Sequence, residues 1–117
     1  MPHTPHVLSV SRLTALLREV VEENFFQVSV EGEISNFSTP ASGHWYFCLK
    51  DENSQIRTVM FRTASRLLRF RPENGMQVIA TGRLSIYPQR GEVQLIVESL
   101  EPKGVGSLQV AFEQRKA

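Results

Sequence analysis

Gly43-His44-Trp45-Tyr46-Phe47-Cys48-Leu49-Lys50-Asp51-Glu52 is the stretch whose reading decides the fold. Trp45, Phe47 and Leu49 alternate with His44, Tyr46, Cys48 and Lys50, the period-two pattern of a strand with one face turned to a core. The other face carries a phenol ring, an imidazole and an ammonium. A sheet face that stacks bases and neutralises phosphates needs such groups.

Working outward, residues from about Phe26 to Phe37 alternate Val28, Val30 and Ile34 against Ser29, Glu31, Glu33 and Ser35. Gly32 falls on the apolar face, where a glycine lets a long strand bend as a small barrel requires. Ser38 to Gly43 reads as a loop, and Asp51-Glu52-Asn53-Ser54 as a tight turn. Gln55 to Arg62 follows as a third strand whose apolar residues do not alternate cleanly, so a bulge is expected there. Ala64 to Phe70 reads as a short helix stopped by Pro72, and Asn74-Gly75 as a turn. Met76 to Tyr87 is a long strand interrupted on its apolar face by Gly82. Pro88 to Gly91 is a hairpin loop, and Val93 to Leu100 a fifth strand.

Before the first strand, Ser9 is a suitable N-cap for a helix from Val10 to about Glu23. Val10, Leu13, Leu16, Leu17, Val20 and Val21 form one apolar stripe, expected to plug or brace the sheet. Residues 1–8, with Pro2 and Pro5, read as a loose leader, residues 9–102 as the domain, and residues 103–117 as a linker and the start of a further helix. That last segment, with Leu108, Ala111 and Phe112 at helical spacing, suggests a continuing chain. The whole is mainly β: five strands, an N-terminal helix, and a helix between strands three and four. A five-stranded Greek-key barrel with its helix at that place is the OB-fold.

At 117 residues the chain makes one domain, able to bury roughly two thirds of its unfolded surface without disulfide or metal. No apolar run is long enough for a membrane span, and the one cysteine, Cys48, excludes an internal disulfide framework. Net charge is +1 but unevenly spread. Residues 1–54 carry three basic and seven acidic side chains, whereas residues 55–92 carry seven arginines against Glu73 and Glu92. Arginine suits phosphate forks and stacking on flat rings, although a solvated sheet face would also use it. His3 and His6 lack ligand partners, and Glu31 and Glu33 share a strand face without a third carboxylate, so no metal site or cofactor is expected.

Gly32-Glu33-Ile34-Ser35-Asn36-Phe37 and Ser42-Gly43-His44-Trp45-Tyr46-Phe47-Cys48-Leu49-Lys50-Asp51 together resemble the N-terminal domain of the exodeoxyribonuclease VII large subunit. The resemblance continues through Val59-Met60-Phe61-Arg62, Gly82-Arg83-Leu84-Ser85-Ile86-Tyr87, Arg90-Gly91-Glu92-Val93-Gln94-Leu95 and Glu101-Pro102-Lys103-Gly104-Val105-Gly106-Ser107-Leu108. Val93 stands where that family often has Tyr, and Trp45 and Cys48 replace commoner Leu and Thr or Ser. The resemblance implies a single-stranded DNA-binding module in the bacterial cytoplasm. It would precede a nuclease domain that degrades single strands to oligonucleotides without requiring a divalent metal, with a small subunit bound further on. The fragment by itself is expected to be inactive.

OB-folds bind strands on the face of strands two and three, between the loops joining strands one to two and four to five. Here those loops are Asn36–Gly43 and Tyr87–Gly91. Tyr46 and Phe37 are then the stacking candidates, with Tyr87 at the edge of the second loop. Lys50, Arg57, Arg62, Arg83 and Arg90 are the phosphate candidates, and Asn36 and His44 can supply hydrogen bonds. Trp45, on the greasy face, is assigned to the core. The bland alternatives are that Tyr46 braces a neighbouring strand and Phe37 packs a loop. Two competing functions are an enzyme built on Glu31, Glu33, Asp51, Glu52 and His44, and an OB-fold RNA- or tRNA-binding module. The first lacks a nucleophile with an oriented partner; composition permits the second.

Overall fold

Ile34, Phe47, Leu49, Met60, Val78, Ala80, Leu95, Val97 and Leu100 close into one apolar core, each at the inward position of a strand. A computed structural model describes residues 7–104. Its elements are α1 (Val10–Asn24), β1 (Val28–Ser38), β2 (Trp45–Lys50), β3 (Gln55–Met60), α2 (Arg62–Ser65), β4 (Gln77–Tyr87) and β5 (Glu92–Pro102). The strands form a closed barrel in the order β1-β2-β3-β5-β4, with β3 and β5 parallel and the other pairs antiparallel. This is the mainly β, five-stranded barrel expected, with helices before β1 and between β3 and β4. The further helix expected after Gly106 lies outside the described residues, as do residues 1–6 of the leader.

Two bulges close the barrel, and neither is in β3. That strand pairs with β2 without interruption from Trp45↔Met60 to Lys50↔Gln55. Its alternation is broken because Thr58, Val59 and Met60 are all buried, Val59 on the outward face beneath the walls of a groove. The first bulge lies in β1, where Ser35 pairs with Cys48 but Ser38 with Tyr46. Asn36 takes the left-handed conformation there (φ 56), which asparagine tolerates better than most residues. The second lies in β5, where Thr81 pairs with Ser99 and Gly82 with Val97, leaving Glu98 as the extra residue. A Cβ at Gly82 would stand 1.9 Å from the Ile96 carbonyl oxygen, so only glycine fits this crossing.

Three other expectations need correcting. The helix expected over Ala64–Phe70 is a single turn, Arg62–Ser65. Beyond it the amides of Leu67 and Leu68 bond three residues back, to Ala64 and Ser65, so the chain tightens into turns. Arg62 accordingly opens a helix rather than ending a strand. The helix at residues 10–24 forms as expected, with the Ser9 hydroxyl accepting the Arg12 amide at 3.0 Å. It does not plug the sheet. Its polar face lies on β4, where the Ser85 hydroxyl donates to Glu22 Oε2 at 2.7 Å. Its apolar stripe points away, leaving Val10, Leu13, Leu17 and Val20 exposed.

Candidate nucleic-acid interface

Tyr46, Arg57, Tyr87 and Arg90 come from β2, β3, β4 and the β4–β5 turn, yet they line one groove of ≈ 210 Å³. Cross-strand pairing brings them there. Tyr46 faces Val59 across β2–β3, Arg57 faces Gln94 across the parallel β3–β5 ladder, and Gln94 faces Ser85 on β4. Val59 and Thr58 form the buried floor and Gln94 part of the wall. Both tyrosines are 40% exposed, enough to offer a ring face to a ligand. The turn carrying Arg90 is pinned by amides of Arg90 and Gly91 that donate to the Tyr87 carbonyl. A groove with two phenol rings, two guanidiniums and an apolar floor can stack planar rings and hold anionic oxygens together.

His44 and Arg62 sit together at the start of β2. The Arg62 amide donates to His44 Nδ1 at 2.9 Å, and the Ser65 hydroxyl donates to the Gly43 carbonyl at 3.1 Å. Gly43 has φ 87, and a Cβ there would come within 2.9 Å of Arg62 Cδ. The end of the β1–β2 loop is thus stapled onto α2. The imidazole, edge-on to Phe61 at 5.3 Å, is committed to that staple through Nδ1, leaving Nε2 for a ligand. Arg62 itself is exposed beside the loop.

The other four nominated residues lie elsewhere. Phe37 is turned inward by the bulge at Asn36 and packs against Trp45 (centroids 5.7 Å, edge-on) and Phe47 (6.0 Å), with the Arg71 guanidinium 5.9 Å over its ring. Asn36 shapes that bulge and is exposed. Lys50 lies four residues beyond Tyr46, about 13 Å at the usual strand rise. There it pairs with Glu33 and neighbours Glu31, Asp51 and Glu52. Arg83 stands on β4 close enough to α1 to help lower the Glu22 pKa. That carboxyl is held below its ordinary value mainly by the Ser85 hydroxyl, then by Arg18, whose Nε donates to Glu22 Oε2 at 2.9 Å.

Sequence reading missed Val59, Thr58 and Gln94 as groove residues. Gln94 carries a visible signal, the one polar residue in the run Val93–Val97. Its position opposite Arg57 depends on a parallel long-range pairing that no local pattern encodes. Trp45 is partly buried against the core, as its place on the greasy face implied. Among the described residues, no group of His, Cys, Asp and Glu could hold a metal ion, and no helix is long and apolar enough to cross a membrane.

Comparison with known proteins agrees with the barrel fold. Residues 8–101 match the family model described as an OB-fold nucleic acid binding domain. The exodeoxyribonuclease 7 large subunit of Syntrophotalea carbinolica is 64% identical over 109 residues, which are 93% of this chain and 27% of that protein. That of Geobacter sulfurreducens is 62% identical over 110 residues, 94% of this chain and 25% of the relative. The chain thus spans about a quarter of the length of these relatives. Among solved structures, a replication protein A heterotrimer bound to ssDNA superimposes with TM-score 0.56 at 16% identity, covering 73% of this chain and 63% of that one. Asparaginyl-tRNA synthetase from Pyrococcus horikoshii does so with TM-score 0.53 at 15% identity, covering 66% of this chain and 19% of that one. At such identities the likeness is one of fold. The chain belongs to the OB-fold nucleic acid binding domain family, and within it stands with the exodeoxyribonuclease 7 large subunits.

Proposed function

We propose that this domain binds single-stranded DNA across the outward face of β2 and β3, between the β1–β2 loop and the β4–β5 turn. The observation that carries this reading is the convergence of Tyr46, Tyr87, Arg57 and Arg90 on one groove with Val59 as its floor. Stacking on exposed rings requires unpaired bases, and arginines alongside take the phosphates, so a single strand fits this set better than a duplex. His44 Nε2 and Arg62 extend the contact surface toward the β1–β2 loop, and Asn36, Phe37, Lys50 and Arg83 lie outside the groove. In the longer protein the domain presents the strand to a nuclease region elsewhere in the chain, which degrades it to oligonucleotides. A small subunit binds through regions other than this one, and the setting is the bacterial cytoplasm. The domain itself does no hydrolysis: the only histidine among the described residues is committed through Nδ1 to the Arg62 amide and has no oriented nucleophile.

Titration of this chain with a single strand, the corresponding duplex and the corresponding RNA, each at two salt concentrations, tests the reading. The single DNA strand should bind tightest and weaken as salt rises, because phosphate neutralisation releases counterions. Preference for the duplex would refute a stacking site. Preference for RNA would assign the groove to the RNA-binding class of OB-folds.

A further inference from the structure

Arg57 stands on a wall shared by two depressions. One is the tyrosine groove; the other is lined by Cys48, Gln55, Ile56, Glu92 and Val93. Glu92 reaches Arg57 across that wall, with Oε1 3.5 Å from Nε. It also pairs with Tyr87 across β4–β5, so its backbone is the cross-strand neighbour of one candidate stacking residue while its carboxylate meets a candidate phosphate-binding cation. The two side chains are 52% and 48% exposed, and an ion pair so open to water contributes little to stability. Arg90, the other guanidinium of the groove, has no ion-pair partner among the described residues. A carboxylate and a phosphate offer a guanidinium the same pair of oxygens.

We infer that Glu92 is a built-in competitor of the DNA phosphate for Arg57. A strand entering the groove takes the guanidinium from Glu92, and the carboxylate is left beside the strand as an uncompensated negative charge. Glu92 thereby holds affinity below what Tyr46, Tyr87, Arg57 and Arg90 would give alone, which suits a domain that must pass its strand on. It also masks the Arg57 contact in the salt dependence, because the freed carboxylate gathers a cation while the phosphate releases one. This inference rests on the proposed single-strand reading of the groove.

The test titrates four variants of the 117-residue chain with oligothymidine over a range of salt: Glu92→Gln, Arg57→Ala, the double variant, and Glu98→Gln. Glu98 is exposed on the same strand, so its variant matches the charge change alone. Glu92→Gln should tighten binding about three- to fivefold at low salt and steepen the salt slope by about 0.7. Glu98→Gln should change affinity less than about twofold, and the gain from Glu92→Gln should fall below about twofold once Arg57 is alanine. Equal gains from Glu92→Gln and Glu98→Gln, a gain that survives in the Arg57→Ala background, or weaker binding by Glu92→Gln would each overturn the inference. Absence of oligothymidine binding by the unaltered chain at low salt would instead remove the single-strand reading beneath it.

Discussion

Trp45 and Tyr46 are adjacent in sequence and opposite in role, because successive side chains of a strand point to opposite faces. Trp45 packs edge-on against Phe37 beside the core, while Tyr46 is 40% exposed over the groove. Trp45→Ala should therefore destabilise the domain by about 3 kcal/mol, as truncation of a packed aromatic does, measured by denaturant unfolding. Tyr46→Ala should leave stability within about 1 kcal/mol and weaken single-strand binding by about tenfold or more. A folded, binding-deficient Trp45→Ala beside an unfolded Tyr46→Ala would mean that the strand is facing the other way. The facing of these two residues was legible because alternation through β2 is unbroken. That of Phe37 was not: strict alternation from Ser35 puts it outward, but the extra residue at Asn36 turns it in. The left-handed Asn36 is permitted by its sequence but not demanded by it.

Among the elements, α1 separates what periodicity tells from what it does not. The Ser9 cap and the stripe from Val10 to Val21 fix a helix and its apolar side. They do not say which side meets the barrel, and here the polar side does, through Glu22, Ser85 and Arg18. The pH dependence of that contact follows from the lowered Glu22 pKa. A carboxyl whose folded pKa is depressed stabilises the folded form fully above its unfolded pKa, and that contribution is lost as pH falls through the folded value. The stability difference between the native chain and Glu22→Gln should accordingly be constant above about pH 5 and shrink on further acidification. A difference that widened with acid would contradict the assignment. At α2 the sequence located the element and part of its burial: of Leu67, Leu68 and Phe70, the apolar residues expected inside, Leu68 and Phe70 pack on the core while Leu67 is exposed. It overstated the helix because the apolar and arginine run from Arg66 to Arg71 is compatible with turns as well as with a second helical turn.

For the whole molecule, strand count, the need for glycine at position 82 and the place of α2 were readable, whereas the bend expected at Gly32 has its counterpart at the Asn36 bulge. Closure of the barrel by the β3–β5 and β1–β4 pairs came from likeness to known barrels. The uneven charge along the sequence becomes two poles. Arg57 and Arg90 line the groove, while Glu31, Glu33, Asp51 and Glu52 gather around Lys50 at the far end of β2. Asp51 and Glu52 follow Lys50 directly in the sequence, but Glu31 and Glu33 reach it only through the β1–β2 pairing, so the full acidic surroundings of Lys50 were not legible from local pattern. Under the proposed single-strand reading, a field so divided steers the polyanion to the groove end of the barrel. The most direct test of that claim maps amide chemical shifts of the chain as short oligothymidine is added. The perturbations should concentrate on Tyr46, Arg57, Val59, Tyr87, Arg90 and Gln94, extending to His44 and Arg62. Perturbations centred instead on Glu31, Lys50 and Asp51, or on α1, would show that the strand binds elsewhere and that this groove is not the site.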